Sequence, residues 1–106
     1  MASAATRDAV FDALADPTRR QVLSLVGDRG ETTASAMARE LPVSRQAVQK
    51  HLATLTAAGL VASRREGREV LYRVTPAPMS DAVGWMAEVG GQWDSRLAAL
   101  ARHLSR

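Results

Sequence analysis

The apolar residues of this chain recur in two rhythms. Steps of three and four dominate the first sixty residues and the last twenty-five, while a short stretch between them alternates. Val10, Phe11 and Leu14 mark the inner face of a first helix over about residues 6–15. Asp16-Pro17 reads as a cap followed by proline in the first turn, where the missing N–H costs nothing. Val22, Leu23, Leu25 and Val26 then give a second helix, ended around Gly27–Gly30. Thr33 can cap a short third helix with Ala34, Met37, Ala38 and Leu41 inward, and Pro42 stops it. Ser44 can cap a fourth, in which Val48, Leu52 and Leu55 recur at i, i+4 and i+7. Gly59 suits the left-handed position just past its end. The turn Pro42-Val43-Ser44 between the two helices has helix-turn-helix length.

The alternating stretch is Val70, Tyr72 and Val74, the pattern of a half-buried strand. With Leu60–Arg65 before it and Glu66-Gly67-Arg68-Glu69 between, it predicts a β-hairpin that Pro76 and Pro78 terminate. Ser80 or Asp81 is the expected cap of a last helix over about residues 80–104. In it Ala82, Met86, Val89, Trp93, Leu97, Leu100 and Leu104 form an apolar stripe about six turns long. The expected fold is mostly α with a small β-hairpin: a winged helix-turn-helix in the order α-α-α-α-β-β-α, with residues 1–106 as one domain.

The inward face of the fourth helix leaves Arg45, Gln46, Gln49 and Lys50 pointing outward, mainly in its first two turns. A recognition helix reads the major groove with that part of its length. Glutamine can pair bidentately with adenine, and arginine with guanine. Ser44 at the helix start is placed for a phosphate, and Lys50 and His51 suit phosphates better than bases. His51 also has a packing alternative, against the wing. Arg68 at the hairpin tip and Arg64 on its first strand are the expected wing contacts. Arg65, Glu66 and Glu69 can instead form exposed cross-strand pairs of little energetic value.

Charge sharpens this picture. The chain carries 14 basic and 11 acidic residues, a formal +3, and all but one of the basic residues are arginine. Arg45, Lys50, Arg64, Arg65, Arg68 and Arg73 face only Glu66 and Glu69 between residues 41 and 75. The positive surplus therefore sits on the fourth helix and hairpin, which is the electrostatic footprint of a DNA-binding surface. At 46% hydrophobic and 24% charged the chain is too apolar for a disordered segment. It has no cysteine, which excludes disulfides, thiolate metal sites and thiol redox chemistry. No apolar run approaches a membrane span and the N-terminus lacks a signal-peptide layout, so a cytoplasmic protein with no membrane partner is expected. Nor is it expected to be an enzyme. Ser44 and His51, two turns apart on one helix, lie about 10 Å apart along its axis, too far for a nucleophile–base pair. No phosphate loop or paired carboxylates are present.

The last helix is too apolar along its stripe to stand free on so small a domain. A homodimer is expected, built on the first and last helices through Phe11, Met86, Val89, Trp93, Leu97 and Leu100, with Trp93 as ordinary core the alternative. Gly90-Gly91 in mid-helix costs about 1 kcal/mol per glycine relative to alanine. Close approach of another backbone, or a kink, would account for it.

The combination resembles the ArsR family of bacterial transcriptional repressors over about residues 10–104. The carriers are Leu14-Ala15-Asp16-Pro17-Thr18-Arg19-Arg20-Gln21-Val22-Leu23, the run Leu41 to Leu52 with Leu55 and Ala58-Gly59-Leu60-Val61, and Arg65-Glu66-Gly67-Arg68 with Tyr72-Arg73-Val74. The resemblance implies a dimeric winged-helix repressor on an inverted-repeat operator in double-stranded DNA. It also implies DNA contact at Ser44, Arg45, Gln46, Gln49, Lys50, His51 and Arg68, with Thr18 and Arg19 bracing the second helix. Metal-sensing members use cysteine pairs in the third helix or Asp/His sets in the last. Here the third helix has neither Cys nor His, and the last offers His103 without a second histidine. The resemblance is thus to the metal-independent branch, with no cofactor and an unknown effector. Two other functional readings are a regulator with a small apolar ligand at the dimer interface and a winged helix used for protein–protein contact.

Overall fold

The computed structural model describes residues 4–104 and shows five helices and a two-stranded antiparallel hairpin in the expected order. They are α1 (Ala4–Leu14), α2 (Pro17–Arg29), α3 (Ala34–Glu40), α4 (Arg45–Ala57), β1 (Val61–Glu66), β2 (Glu69–Val74) and α5 (Ala77–Leu104).

Local chemistry sets most of these boundaries. The side chains of Asp16, Thr33 and Ser44 accept the backbone N–H groups of Arg19, Ala36 and Ala47, at 3.0, 3.1 and 3.1 Å. Each satisfies a donor that the first turn leaves unpaired. At the far end of α4, Gly59 takes φ +77°. The N–H groups of Gly59 and Leu60 fold back onto the carbonyls of Thr56 and Leu55, closing a Schellman motif that aims β1 at the core.

The core is continuous from α1 through β1. Val10, Val22, Val26, Met37, Val48, Leu52, Leu55 and Leu60 are fully buried, and Tyr72 and Val74 pack on it from β2. In the ladder Val61 pairs with Val74, Ser63 with Tyr72 and Glu66 with Glu69, so the hairpin turns on Gly67-Arg68 alone, with Gly67 at φ +60°.

Two local readings are corrected and two further sets of contacts appear. Glu66 and Glu69 stand opposite each other instead of pairing with arginines across the strands; Arg65 faces Val70, and Glu66 takes Arg64 on its own strand. Thr32 exchanges two backbone hydrogen bonds with Tyr72, which adds a one-residue third strand to the hairpin edge. α5 starts at Ala77, ahead of Ser80 and Asp81. Pro78 falls in its first turn, where no N–H is needed, and Ser80 already donates to Pro76 O at 2.9 Å. Arg19 and Arg20 serve the preceding helix more than their own: Arg19 Nε donates to Ala13 O and Arg20 Nη1 to Leu14 O, both at 2.7 Å. They cap the last carbonyls of α1, where cations are also favoured by the helix dipole.

α5 meets the body mainly through α1. Ala82 is buried between them, and Trp85 lies 5.6 Å from Phe11 with the rings tilted by 57° and the Arg7 guanidinium 5.7 Å from the indole. From Gly91 to His103 every residue is exposed. Among the described residues no helix is long and apolar enough to cross a membrane.

Candidate nucleic-acid interface

α4 is held by its inward row, Val48, Leu52 and Leu55, all fully buried. That anchoring leaves Ser44, Arg45, Gln46, Gln49 and Lys50 exposed on one surface. The Ser44 Oγ is spent as an acceptor on Ala47 N–H, so its hydroxyl proton is free to donate outward. Among the described residues, the side chains of Arg45, Gln46, Gln49 and Lys50 make no hydrogen bond or ion pair within the chain. Four unsatisfied polar ends on two turns of helix form a surface that another molecule can read.

This surface divides into two rows. Arg45 and Gln49 look toward the wing and share with it a cleft of about 180 Å³. Its other wall is Arg68, Val70, Tyr72 and the chain at Glu69, with Thr33 and Ser35 of the α3 start closing one end. Gln46 and Lys50 lie outside the cleft. The cleft thus joins the start of the recognition helix to the wing tip, and Arg68 is exposed there.

Two of the expected contacts sit differently. Arg64 is engaged inside the protein: Glu31 accepts its Nε at 2.7 Å and its Nη2 at 2.9 Å, and Glu66 lies 2.9 Å from its Nη1. The side-chain bond from Arg64 holds the Glu31 carboxyl below its usual range, while the same pairing pushes the guanidinium further up. His51 is half-buried, with Nδ1 enclosed and unpartnered. Nearby, the Arg19 N–H bond holds the Asp16 carboxyl below its usual range.

Sequence reasoning missed Glu31 and Thr32. The signal was a lone carboxylate and one β-branched residue between Gly30 and the helix cap Thr33, too short for any periodicity to register.

At the opposite side, Trp93 is 56% and Leu97 59% exposed, and Met86 and Leu100 are also open, whereas Phe11 and Val89 are half-buried. Trp93 is therefore no part of this chain's own core. α5 runs unbroken through Gly90 and Gly91, and beyond the adjacent residues and turns of its own backbone no atom lies within 4 Å of where their Cβ atoms would be. Among the described residues no group of three His, Cys, Asp or Glu side chains could hold a metal ion.

Comparison with known proteins agrees with this geometry. A helix-turn-helix domain family matches residues 14–64. The transcriptional repressor SdpR of Bacillus subtilis is 31% identical over 88 residues, spanning 83% of this chain and 97% of that protein. An ArsR-like transcriptional regulator from Rhodococcus sp. RHA1 superposes with a TM-score of 0.80 at 45% identity, covering 91% of this chain and 90% of that one. The homodimeric winged helix-turn-helix DNA-binding domain of a possible ArsR-family regulator from Mycobacterium bovis gives 0.62 at 30% identity, over 87% of this chain and 82% of that one.

Proposed function

The chain belongs to the ArsR family of winged-helix transcriptional regulators, and on that premise we propose that it is a cytoplasmic repressor whose homodimer binds an inverted-repeat operator. The observation that carries this is the exposed, unpartnered set Arg45, Gln46, Gln49 and Lys50 on the first turns of α4, beside a wing tipped by Arg68. In this reading Arg45 and Gln49 meet base edges, while Ser44, Lys50 and Arg68 hold phosphates.

A single α4 reads only a few base pairs, so two copies related by a two-fold axis supply the length of a specific site. The exposed Met86, Trp93, Leu97 and Leu100, continuous with the half-buried Phe11 and Val89, form the surface for that second copy. Gly90 and Gly91, open in the single chain, leave room for close approach of the partner's backbone. With no cysteine and no metal-holding cluster among the described residues, the thiolate sensing route is closed to this chain.

The test is selection of binding sites from random duplex DNA by the purified protein. Enrichment of a two-fold symmetric sequence, with half-sites separated by about one or two helical turns, is the expected result. Recovery of no common sequence would reject the reading.

A further inference from the structure

We infer that Arg65, and not Arg64, is the DNA-facing cation of the wing strand, and that Arg64 is a positioning residue that fixes the wing through Glu31. This rests on the DNA-binding reading above and assigns the roles within it.

The argument starts from strand alternation, since successive side chains point to opposite faces. Val61 is buried at the root of β1, so Val61, Ser63 and Arg65 share the face turned toward the body. Their ladder partners are Val74, Tyr72 and Val70. Val70 and Tyr72 line the cleft whose far wall is Arg45 and Gln49. Arg65, directly opposite Val70, therefore stands on the recognition-helix side of the wing, one short turn from Arg68. It is exposed and has no ion-pair partner among the described residues.

The other face has more carboxylates than guanidinium groups. Arg64 shares it with Glu66, Glu69, Leu71 and Arg73. The pairing of Thr32 with Tyr72 places Glu31 beside Arg73 on that same face, within reach of Arg64 across β2. Three carboxylates stand there against two guanidinium groups. A phosphate approaching Arg64 would have to displace a fork of two short charge-assisted bonds and then lie among carboxylates. A phosphate approaching Arg65 displaces only water. The wing is thus net positive on one face and net negative on the other, which dictates the side it lays on the duplex. Arg64 ties β1 across β2 to the segment before α3, and so sets the angle of the wing to α4.

The experiment measures affinity of the full chain for a mixed-sequence DNA duplex over a salt series, for wild type, R64A, R64Q, R65A and R65K, with circular dichroism confirming the fold of each. Each lost phosphate contact lowers the slope of log K against log salt by about 1. R65A is expected to lose that much slope and R65K to recover it. R64A and R64Q are expected to keep the wild-type slope while amide exchange in β1 and β2 accelerates. A wild-type slope for R65A, or an equal loss in the Arg64 variants, overturns the assignment. Wild-type protein that shows no salt-dependent binding would instead overturn the DNA-binding reading itself, before any variant is compared.

Discussion

Glu31 and Arg64, thirty-three residues apart, meet as a fork: one carboxylate accepts both Nε and Nη2 of one guanidinium. The link joins the loop between α2 and α3 to β1, reaching across β2, the strand with which that loop pairs through Thr32 and Tyr72.

The pH dependence of that link follows from Glu31. Its carboxyl titrates below its ordinary value near 4.5, chiefly because Arg64 hydrogen-bonds the charged form. A group whose pKa is depressed by folding stabilises the folded state above its unfolded pKa, and loses that contribution as pH falls through the folded value. The wing should thus stay fixed at neutral pH and loosen only below about pH 4.5. Amide exchange in β1 and β2 against pH checks this. In E31Q the acid-side change should vanish, with exchange already faster at neutral pH.

Specificity should reside in the row of α4 that faces the cleft. Replacing Arg45 and Gln49 together by alanine is expected to remove about 2–6 kcal/mol of discrimination between a selected site and random DNA, from two bidentate contacts. Affinity for random DNA should fall far less. Competition binding with both duplexes separates the two effects, and undiminished discrimination would place base reading elsewhere.

Trp93 and Leu52 make an instructive pair, because both are large and apolar but sit in opposite surroundings. W93A is expected to leave the unfolding transition of the monomer in place and to shift sedimentation from dimer toward monomer. L52A removes a fully buried side chain from α4 and should cost about 2–5 kcal/mol of stability by denaturant unfolding. A persistent W93A dimer would move the interface off this part of α5.

Thr33→Ala removes the hydroxyl that accepts Ala36 N–H at the start of α3. The expected loss is about 1 kcal/mol. Thr33→Ser should retain most of it, which chemical denaturation can resolve.

The helices from α2 to α4 were legible in the sequence because their signals are local. A cap and the donors it serves lie three residues apart, and Asp16, Thr33 and Ser44 all act as their positions imply. The recognition surface was legible for the same reason, since burying Val48, Leu52 and Leu55 decides which side of α4 faces out. Arg64 was not legible. Its role depends on Glu31, which the sheet brings near only after Thr32 has joined β2. Sequence patterning ranks an arginine near a wing tip by its charge, but the strand register decides which face it takes. The start of α5 is not legible, because proline reads as a terminator unless it falls in a first turn. The sequence does not show where the hairpin turn begins, and the two-residue turn sets Glu66 and Glu69 against each other.

The joint between α1 and α2 is only two residues long, and Arg19 and Arg20 clamp it from one side onto the carbonyls of Ala13 and Leu14. In a dimer joined through α1 and α5, that joint is the strut on which each α4 is carried. In that proposed dimer the span between the two reading heads would be set by this joint before DNA arrives. An operator whose half-sites were moved by one base pair would meet a ruler of the wrong length.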